Sequence, residues 1–207
     1  MRSRGPLKSS SNSIAAINVA DASNPSRVGG IIDGTNLDEP VGIVYEASGD
    51  LLFVACYDDD GLTVLSVADD AASPVVLGSV SSTSYMDAAR LVASFPAAGL
   101  VFVLGSSSDA VCVVDVSDPS TPTVVEGLVD STYMNAAWSI AWDPAAKLLF
   151  VAARDSDSLA VISVMGTAAK YIAPTSLPSP NPTNLPSPPP SFSLAPTPSP
   201  TSWTYGK

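Results

Sequence analysis

The sequence of 207 residues contains no histidine and no motif of a serine nucleophile or a phosphate-binding loop. Histidine is the commonest general base and a frequent transition-metal ligand, so its absence disfavours the sites that depend on it. The missing Gly-x-Ser-x-Gly elbow and P-loop remove two further routes to catalysis that leave a sequence signature. These absences favour a protein that is not an enzyme, although they leave that question open.

Cysteine is limited to two residues, Cys56 and Cys112, which occupy different positions of the repeat described below and form no CxxC pair. This placement favours two small buried side chains over a disulfide. A disulfide between the two residues stays open as an alternative.

Basic residues are scarce as well. Only four lie between residues 9 and 165, against all 20 acidic residues, which gives this stretch a net charge of −16. Such a surface repels a phosphate backbone, so we expect no nucleic-acid partner. Cations and basic partners are compatible with it, and a simpler interpretation is that acidic turns keep a strand-rich protein soluble.

Long apolar runs and amphipathic helical patterns are also missing. No stretch of 18 apolar residues occurs, so no transmembrane segment is predicted. Residues 1–11 are basic and polar with no apolar run behind them, which does not match a signal peptide. Valine, threonine and serine are plentiful, which favours strands over helices.

What the chain does contain is a repeat with a period of 48 or 49 residues, marked by Val19, Val67, Val116 and Val164. A period of about 40–50 residues built from short strands is typical of β-propeller blades. We predict four strands per unit, named a to d, after a leading c–d pair at 14–19 and 28–32. The predicted strands are 41–46, 90–95 and 139–142 (a), 51–56, 100–105 and 148–153 (b), 62–67, 111–116 and 159–164 (c), and 75–80 and 124–129 (d).

Two segments resemble known repeat families. Residues 113–122, Val-Val-Asp-Val-Ser-Asp-Pro-Ser-Thr-Pro, resemble the LVIVD repeat. Residues 141–152, Ala-Trp-Asp-Pro-Ala-Ala-Lys-Leu-Leu-Phe-Val-Ala, resemble the YVTN and lactonase-type repeats. The resemblance implies an all-β fold of four-stranded antiparallel propeller blades and a surface or extracellular location. It implies little about function, because these repeats consist mostly of packing and turn residues.

The chain divides into three segments. Residues 1–10 are predicted to be a disordered leader, residues 11–165 the repeat region of about three blades, and residues 166–207 a disordered tail. The tail is rich in proline, serine and threonine, with 11 of the 19 prolines between residues 173 and 202. Proline fixes φ and removes a backbone donor, so this tract favours an extended spacer, either O-glycosylated or inert.

The number of units predicts an incomplete or open ring, because closed propellers have about four to eight blades. The chain is then a fragment of a longer propeller, an open arc, or a subunit that assembles in several copies. If the ends paired, residues 14–19 and 159–164 would compete for the same edge of strand 148–153. We predict that 159–164 keeps this edge, because a short hairpin loop closes at lower entropic cost.

The loops that lead from strand d into the next strand a are the best candidates for a binding site, since in propellers they open towards the central channel. Aromatic and polar side chains recur in them. The alternative is that these side chains pack between blades or cap turns, as most repeat positions do. The predicted ligand-binding residues are Tyr85, Asp87, Arg90, Tyr133, Asn135 and Trp138.

Two acidic hairpin turns are weak candidates for a calcium site, because calcium prefers several oxygen ligands. Neither turn matches an EF-hand loop, and acidic turns explain them without a metal. No other cofactor is predicted. The residues concerned are Asp58, Asp60, Asp155 and Asp157.

Together these observations predict a non-catalytic, propeller-type binding or scaffold module with a protein or carbohydrate partner, bound by the loops leading into the inner strands. The alternative is a lactonase-type or other hydrolase propeller that uses acidic residues at the channel mouth, such as Asp87.

Overall fold

The computed structural model describes residues 12–165 and 168–171. Within these residues the secondary structure is β, apart from a single 3-10 turn at Pro96–Ala98. No helix in this part of the chain is long and apolar enough to cross a membrane. The strands are β1 (Ser13–Asn18), β2 (Ser26–Ile32), β3 (Pro40–Glu46), β4 (Leu51–Cys56), β5 (Gly61–Ser66), β6 (Val75–Ser81), β7 (Ala89–Phe95), β8 (Leu100–Gly105), β9 (Ala110–Asp115), β10 (Thr123–Val129), β11 (Ala137–Asp143), β12 (Leu148–Ala153), β13 (Ser158–Met165) and β14 (Ala168–Tyr171).

Hydrogen bonding groups these strands into a leading hairpin, β1–β2, and three four-stranded sheets. The first sheet is β3–β6, the second is β7–β10 and the third is β11–β14, each in sequence order. All neighbouring strands are antiparallel. The prediction of four-stranded antiparallel blades is thus confirmed, and β4, β8 and β12 have the predicted bounds.

Strand β14 departs from the sequence prediction, which places residues 166–207 in a disordered tail. Residues 168–171 pair antiparallel with β13, from Met165 opposite Ala168 to Ile162 opposite Tyr171. This pairing gives partners to one edge of β13, whose backbone groups would otherwise lie open. The predicted leader and the rest of the predicted tail lie outside the described residues.

Successive sheets pack against each other through their central strands. Successive side chains of a strand point to opposite faces, so one strand serves two interfaces. In β8, Phe102 and Leu104 face the third sheet, whereas Val101 and Val103 face the first. All six residues of β8 are buried, which explains why this strand is a continuous apolar run in the sequence.

The two cysteines are free thiols buried in different interfaces. Cys56 lies between the leading hairpin and the first sheet, and Cys112 lies between the first and second sheets. Burial raises the pKa of each thiol to about 12. Of the alternatives left open by the sequence, two buried side chains is the correct one.

The two ends of the array do not pair with each other within the described residues. Strand β1 pairs with β2, and β12 pairs with β11 and β13. The register from Leu148 opposite Ser163 to Ala153 opposite Ser158 keeps β13 beside β12. The prediction that the local hairpin holds this edge is therefore confirmed.

Candidate functional site

Three loops, residues 33–39, 82–88 and 130–136, connect one sheet to the next and carry most of the predicted site residues. In the third loop the carboxylate of Asp130 accepts hydrogen bonds from the N–H groups of Thr132 and Tyr133 at 2.9 and 3.2 Å, an Asx-type turn. The middle of each loop inserts one apolar side chain into the core. These side chains, all fully buried, are Leu37, Met86 and Met134.

Each loop is also tied to the sheet that precedes it. The carboxylate of Asp60 accepts a hydrogen bond from the Ala88 N–H at 2.9 Å, and that of Asp109 accepts one from the Ala136 N–H at 3.0 Å. Ala88 and Ala136 have left-handed backbone conformations, with φ of 55° and 49°. That conformation costs a non-glycine residue about 1 kcal/mol, so these bonds help to hold an otherwise unfavourable loop geometry.

The aspartates that accept these hydrogen bonds have a repeat counterpart at each end of the array. Asn12, Asp60, Asp109 and Asp157 follow the repeat period and share a positive φ of 38° to 51°. Asn12 accepts a hydrogen bond from the Glu39 N–H at 3.4 Å. The carboxylate of Asp157 is exposed, and no following loop meets it within the described residues.

A β-bulge follows each loop and directs one side chain away from the ladder. The register skips Val41 in β3, Arg90 in β7 and Trp138 in β11, the same repeat position in all three sheets. Bulges re-aim side chains in this way at sheet edges and functional sites. The sequence repeat therefore places one side chain per sheet on a common surface.

On this surface the side chains of neighbouring sheets stack on one another. The Arg90 guanidinium carbon lies 4.1 Å from the ring centroid of Trp138 and 5.3 Å from that of Tyr57. The Arg154 guanidinium carbon lies 5.0 Å from the Trp138 ring. Each contact has cation–π geometry, worth about 0.5–1 kcal/mol at an exposed site. We call these four residues the Arg–Trp surface.

The electrostatics of the Arg–Trp surface are uneven. Arg154 forms an ion pair with Asp155 at 2.6 Å, and this guanidinium lowers the pKa of the Asp155 carboxyl. Arg90 has no ion pair among the described residues, and its buried Nε has no hydrogen-bond partner there. An open depression of about 310 Å³ lies beside Trp138 and Arg154. The surface thus offers Trp138, 46% exposed, next to a guanidinium that forms no ion pair within the described residues.

The structure brings together only some of the predicted ligand-binding residues. Arg90 and Trp138 are in contact. Tyr85 and Tyr133 are half-buried and pack against the inter-sheet cores, as in the alternative interpretation. Asp87 is half-buried and Asn135 is exposed, and neither takes part in the stacking contacts of the Arg–Trp surface.

Sequence reasoning missed Tyr57 and Arg154, which complete the surface. Both residues come directly after a b strand, at the repeat position that Ser106 fills in the second sheet. A comparison of this position across the repeats could have found them. The comparison would have shown a polar or aromatic side chain one residue beyond each buried strand.

The calcium candidates are occupied with other interactions or lie apart. Asp60 binds the Ala88 N–H, and Asp155 binds Arg154. Asp58 and Asp157 are exposed. Among the described residues no three acidic or thiol side chains come together in a way that could hold a metal ion. A calcium site therefore stays a prediction from the sequence.

Comparison by sequence finds no relative: no family model matches the chain, and neither does any curated protein. The fold, in contrast, recurs in many solved structures. A protein from Lactobacillus plantarum superposes with a TM-score of 0.64 and 16% identity over 82% of this chain and 51% of its own. The periplasmic gluconolactonase of Pseudomonas aeruginosa gives 0.62 and 13% over 78% and 49%. A chain of the nidogen/laminin complex gives 0.53 and 12% over 73% and 54%.

These identities show the fold alone. They place the chain among β-propeller structures built from four-stranded antiparallel sheets, as the repeat predicts. The chain spans about half the length of each of these neighbours. The particular repeat family, LVIVD or YVTN, stays a resemblance because no family model matches.

Proposed function

We propose that this chain is a non-catalytic, propeller-type binding module, surface-exposed or extracellular, whose partner contacts the Arg–Trp surface. The observation that carries the proposal is the 4.1 Å stacking of Arg90 on Trp138 across two sheets, with the Arg90 Nε buried and unpaired in the described residues. The Nε is covered by protein, so a bound acceptor would meet the terminal nitrogens of the Arg90 guanidinium, a group that forms no ion pair within the described residues.

The chemistry of the surface favours a partner with a carboxylate beside an apolar or ring surface. Guanidinium groups bind carboxylates with two parallel hydrogen bonds, and an exposed tryptophan face offers a platform for apolar groups. Arg90 and Arg154 are two of only four basic residues between residues 9 and 165. Both guanidinium groups lie against the Trp138 ring and form a local basic site in an otherwise acidic region. Such a site suits an acidic protein segment or an acidic carbohydrate.

The test is a calorimetric titration with two acidic probes, an oligogalacturonate and a short glutamate-rich peptide. A methyl-esterified oligogalacturonate is the neutral control. We expect binding of at least one acidic probe, weakened about tenfold or more by Arg90→Ala and by Trp138→Ala. Val41→Ala is the matched control, because Val41 fills the same bulge position in the first sheet but is not one of the four residues that form the Arg–Trp surface. Absence of binding to both acidic probes, or equal loss in Val41→Ala, contradicts the proposal.

The alternative, a lactonase-type propeller, draws support from the likeness to a gluconolactonase, which at 13% identity extends to the fold. Asp87 is the acidic residue of the inter-sheet loops that the sequence offers for this role. The discriminating assay is hydrolysis of glucono-lactone above the spontaneous rate. Turnover that Asp87→Asn abolishes would replace the binding-module proposal with the enzymatic one, and background-level hydrolysis supports the binding module.

A further inference from the structure

The outer face of the third sheet repeats an interface that is buried elsewhere in the molecule. The second sheet presents five apolar residues of β8 and β9 to the third sheet, and all are at most 9% exposed. The third sheet presents their repeat counterparts on the opposite face, where no sheet follows within the described residues. The pairs are Leu100 and Leu148, Phe102 and Phe150, Leu104 and Ala152, Val111 and Leu159, and Val113 and Val161. Leu159 is 58% exposed, whereas Val111 is fully buried.

The leading hairpin has an open face of the opposite kind. Ile17 is 51% exposed, whereas its repeat counterparts Leu65, Val114 and Ile162 are fully buried. Those counterparts lie on the inner faces of the three sheets, against the unit that precedes them. Ile17 therefore belongs to the face that receives a preceding sheet, and none is present in the described residues.

The two open faces are complementary by position. Between the second and third sheets, Val111 and Val113 share one core cluster with Ile162. In the repeat, Leu159 is equivalent to Val111 and Ile17 is equivalent to Ile162. Leu159 of one chain and Ile17 of another could therefore meet as Val111 and Ile162 do within one chain. We propose that two copies of this chain bind head to tail, with the hairpin face of each copy seated on the outer face of the other's third sheet.

A second contact between neighbouring units supports this docking. The outer strand of each unit touches the c–d turn of the next: the Gly30 N–H donates to the Ala72 carbonyl at 2.8 Å. A Cβ at Gly78 would lie 2.5 Å from the Ser120 carbonyl oxygen, so this approach requires glycine. The leading hairpin has a turn of the same kind between β1 and β2, which the second copy would bring to the third sheet.

Two copies are enough to close the arrangement. A heterologous interface either closes into a ring or continues as a filament. Two copies supply six four-stranded sheets and two hairpins, eight units in all, within the range of about four to eight blades of closed propellers. A closed dimer is therefore the expected state.

Asp157 takes no part in this interface. Its counterparts Asp60 and Asp109 bind the N–H of a loop that precedes an a strand. The hairpin of the second copy contributes strands of types c and d and has no such loop among the described residues. Asp157→Ala is therefore a control that leaves the dimer intact.

The test measures molar mass by sedimentation velocity across a concentration series of the full chain. We expect a dimer that dissociates on dilution, with its dissociation constant raised about tenfold or more by Leu159→Lys and equally by Ile17→Lys. Val75→Lys is the matched control, because Val75 is also 58% exposed but lies on β6 of the first sheet. All three positions are exposed, so the folded subunit should tolerate each lysine.

Mixing the variants tests the head-to-tail geometry. Leu159→Lys retains an intact hairpin face and Ile17→Lys retains an intact third sheet, so one interface of the mixed pair is unchanged. An equimolar mixture should therefore dimerise more tightly than either variant alone. Three results would each overturn the proposal: a monomer at all concentrations, a dimer that Ile17→Lys leaves unchanged, or filaments in place of a dimer.

Discussion

The interface between the second and third sheets and the outer face of the third sheet carry the same sequence pattern but differ in environment. Phe102 is fully buried and lies 5.2 Å from the Trp142 ring, whereas its repeat counterpart Phe150 is only half-buried. The difference lies in what stands next to the sheet and not in the sheet itself. A repeat therefore encodes one side of an interface, and the adjacent unit determines whether that side stabilises the fold.

This comparison can be tested by changing matched residues in the two regions. The free energy of unfolding is best measured in the Leu159→Lys background, because association would otherwise add to it.

The largest expected effect comes from the two phenylalanines. Phe102→Ala should lower the free energy of unfolding by about 3–5 kcal/mol, because it leaves a cavity between two packed sheets. Phe150→Ala should lower it by about 1 kcal/mol, because the ring is already partly in water. Urea denaturation of the two variants measures both values. Equal losses would show that the outer face of the third sheet is as well packed as the interior.

The two buried cysteines report on opening at different interfaces. Thiolate is the reactive form, and a pKa of about 12 makes both thiols inert at pH 8 until the surrounding structure opens. Cys56 lies beneath a two-stranded hairpin and Cys112 between two four-stranded sheets. We expect Cys56 to react with iodoacetamide about tenfold faster or more, since terminal units open more readily.

Single-cysteine variants, Cys112→Ala and Cys56→Ala, separate the two rates by mass spectrometry. Labelling in urea sets the rate for the open state of each thiol. Equal native rates would mean that the hairpin and the interior sheets open together.

The smallest expected effect concerns the aspartates that tie one sheet to the next loop. Asp109→Ala should cost about 1 kcal/mol more than Asp157→Ala, because only Asp109 accepts the N–H of a following loop. Both residues have left-handed φ values, 51° and 48°, so the backbone strain of alanine cancels in the comparison. Thermal or urea unfolding of both variants gives the difference. A difference of zero would show that this hydrogen bond does not stabilise the loop position.

The repeat period made most of the fold predictable from the sequence. The bounds of β4, β8 and β12 were predictable because these strands are apolar on both faces and end at turn residues. Strand β14 was not, because four residues beside a proline-rich tract carry little strand signal, and their pairing depends on the open edge of β13. Pairing of this kind is a tertiary effect that local propensity does not contain.

The candidate site was predictable only in part. Arg90 and Trp138 stood out as unusual residues at one repeat position, but Tyr57 and Arg154 belong to a different turn. Their meeting depends on bulges that a sequence pattern does not reveal, and on the packing of three sheets side by side. Tyr85 and Tyr133 were also predicted to bind a ligand, and both pack against the inter-sheet cores, which is the alternative interpretation of these loop positions.

The central claim is that contacts between neighbouring sheets stabilise this chain, so that the interior strands open less often than the terminal ones. Native-state hydrogen exchange of the Leu159→Lys variant tests it most directly, amide by amide. We expect the amides of β8 and β9 to exchange slowest, near the rate set by global unfolding, and those of β1 and β2 to exchange about tenfold faster or more. Exchange of β1 and β2 as slow as that of β8 would contradict it.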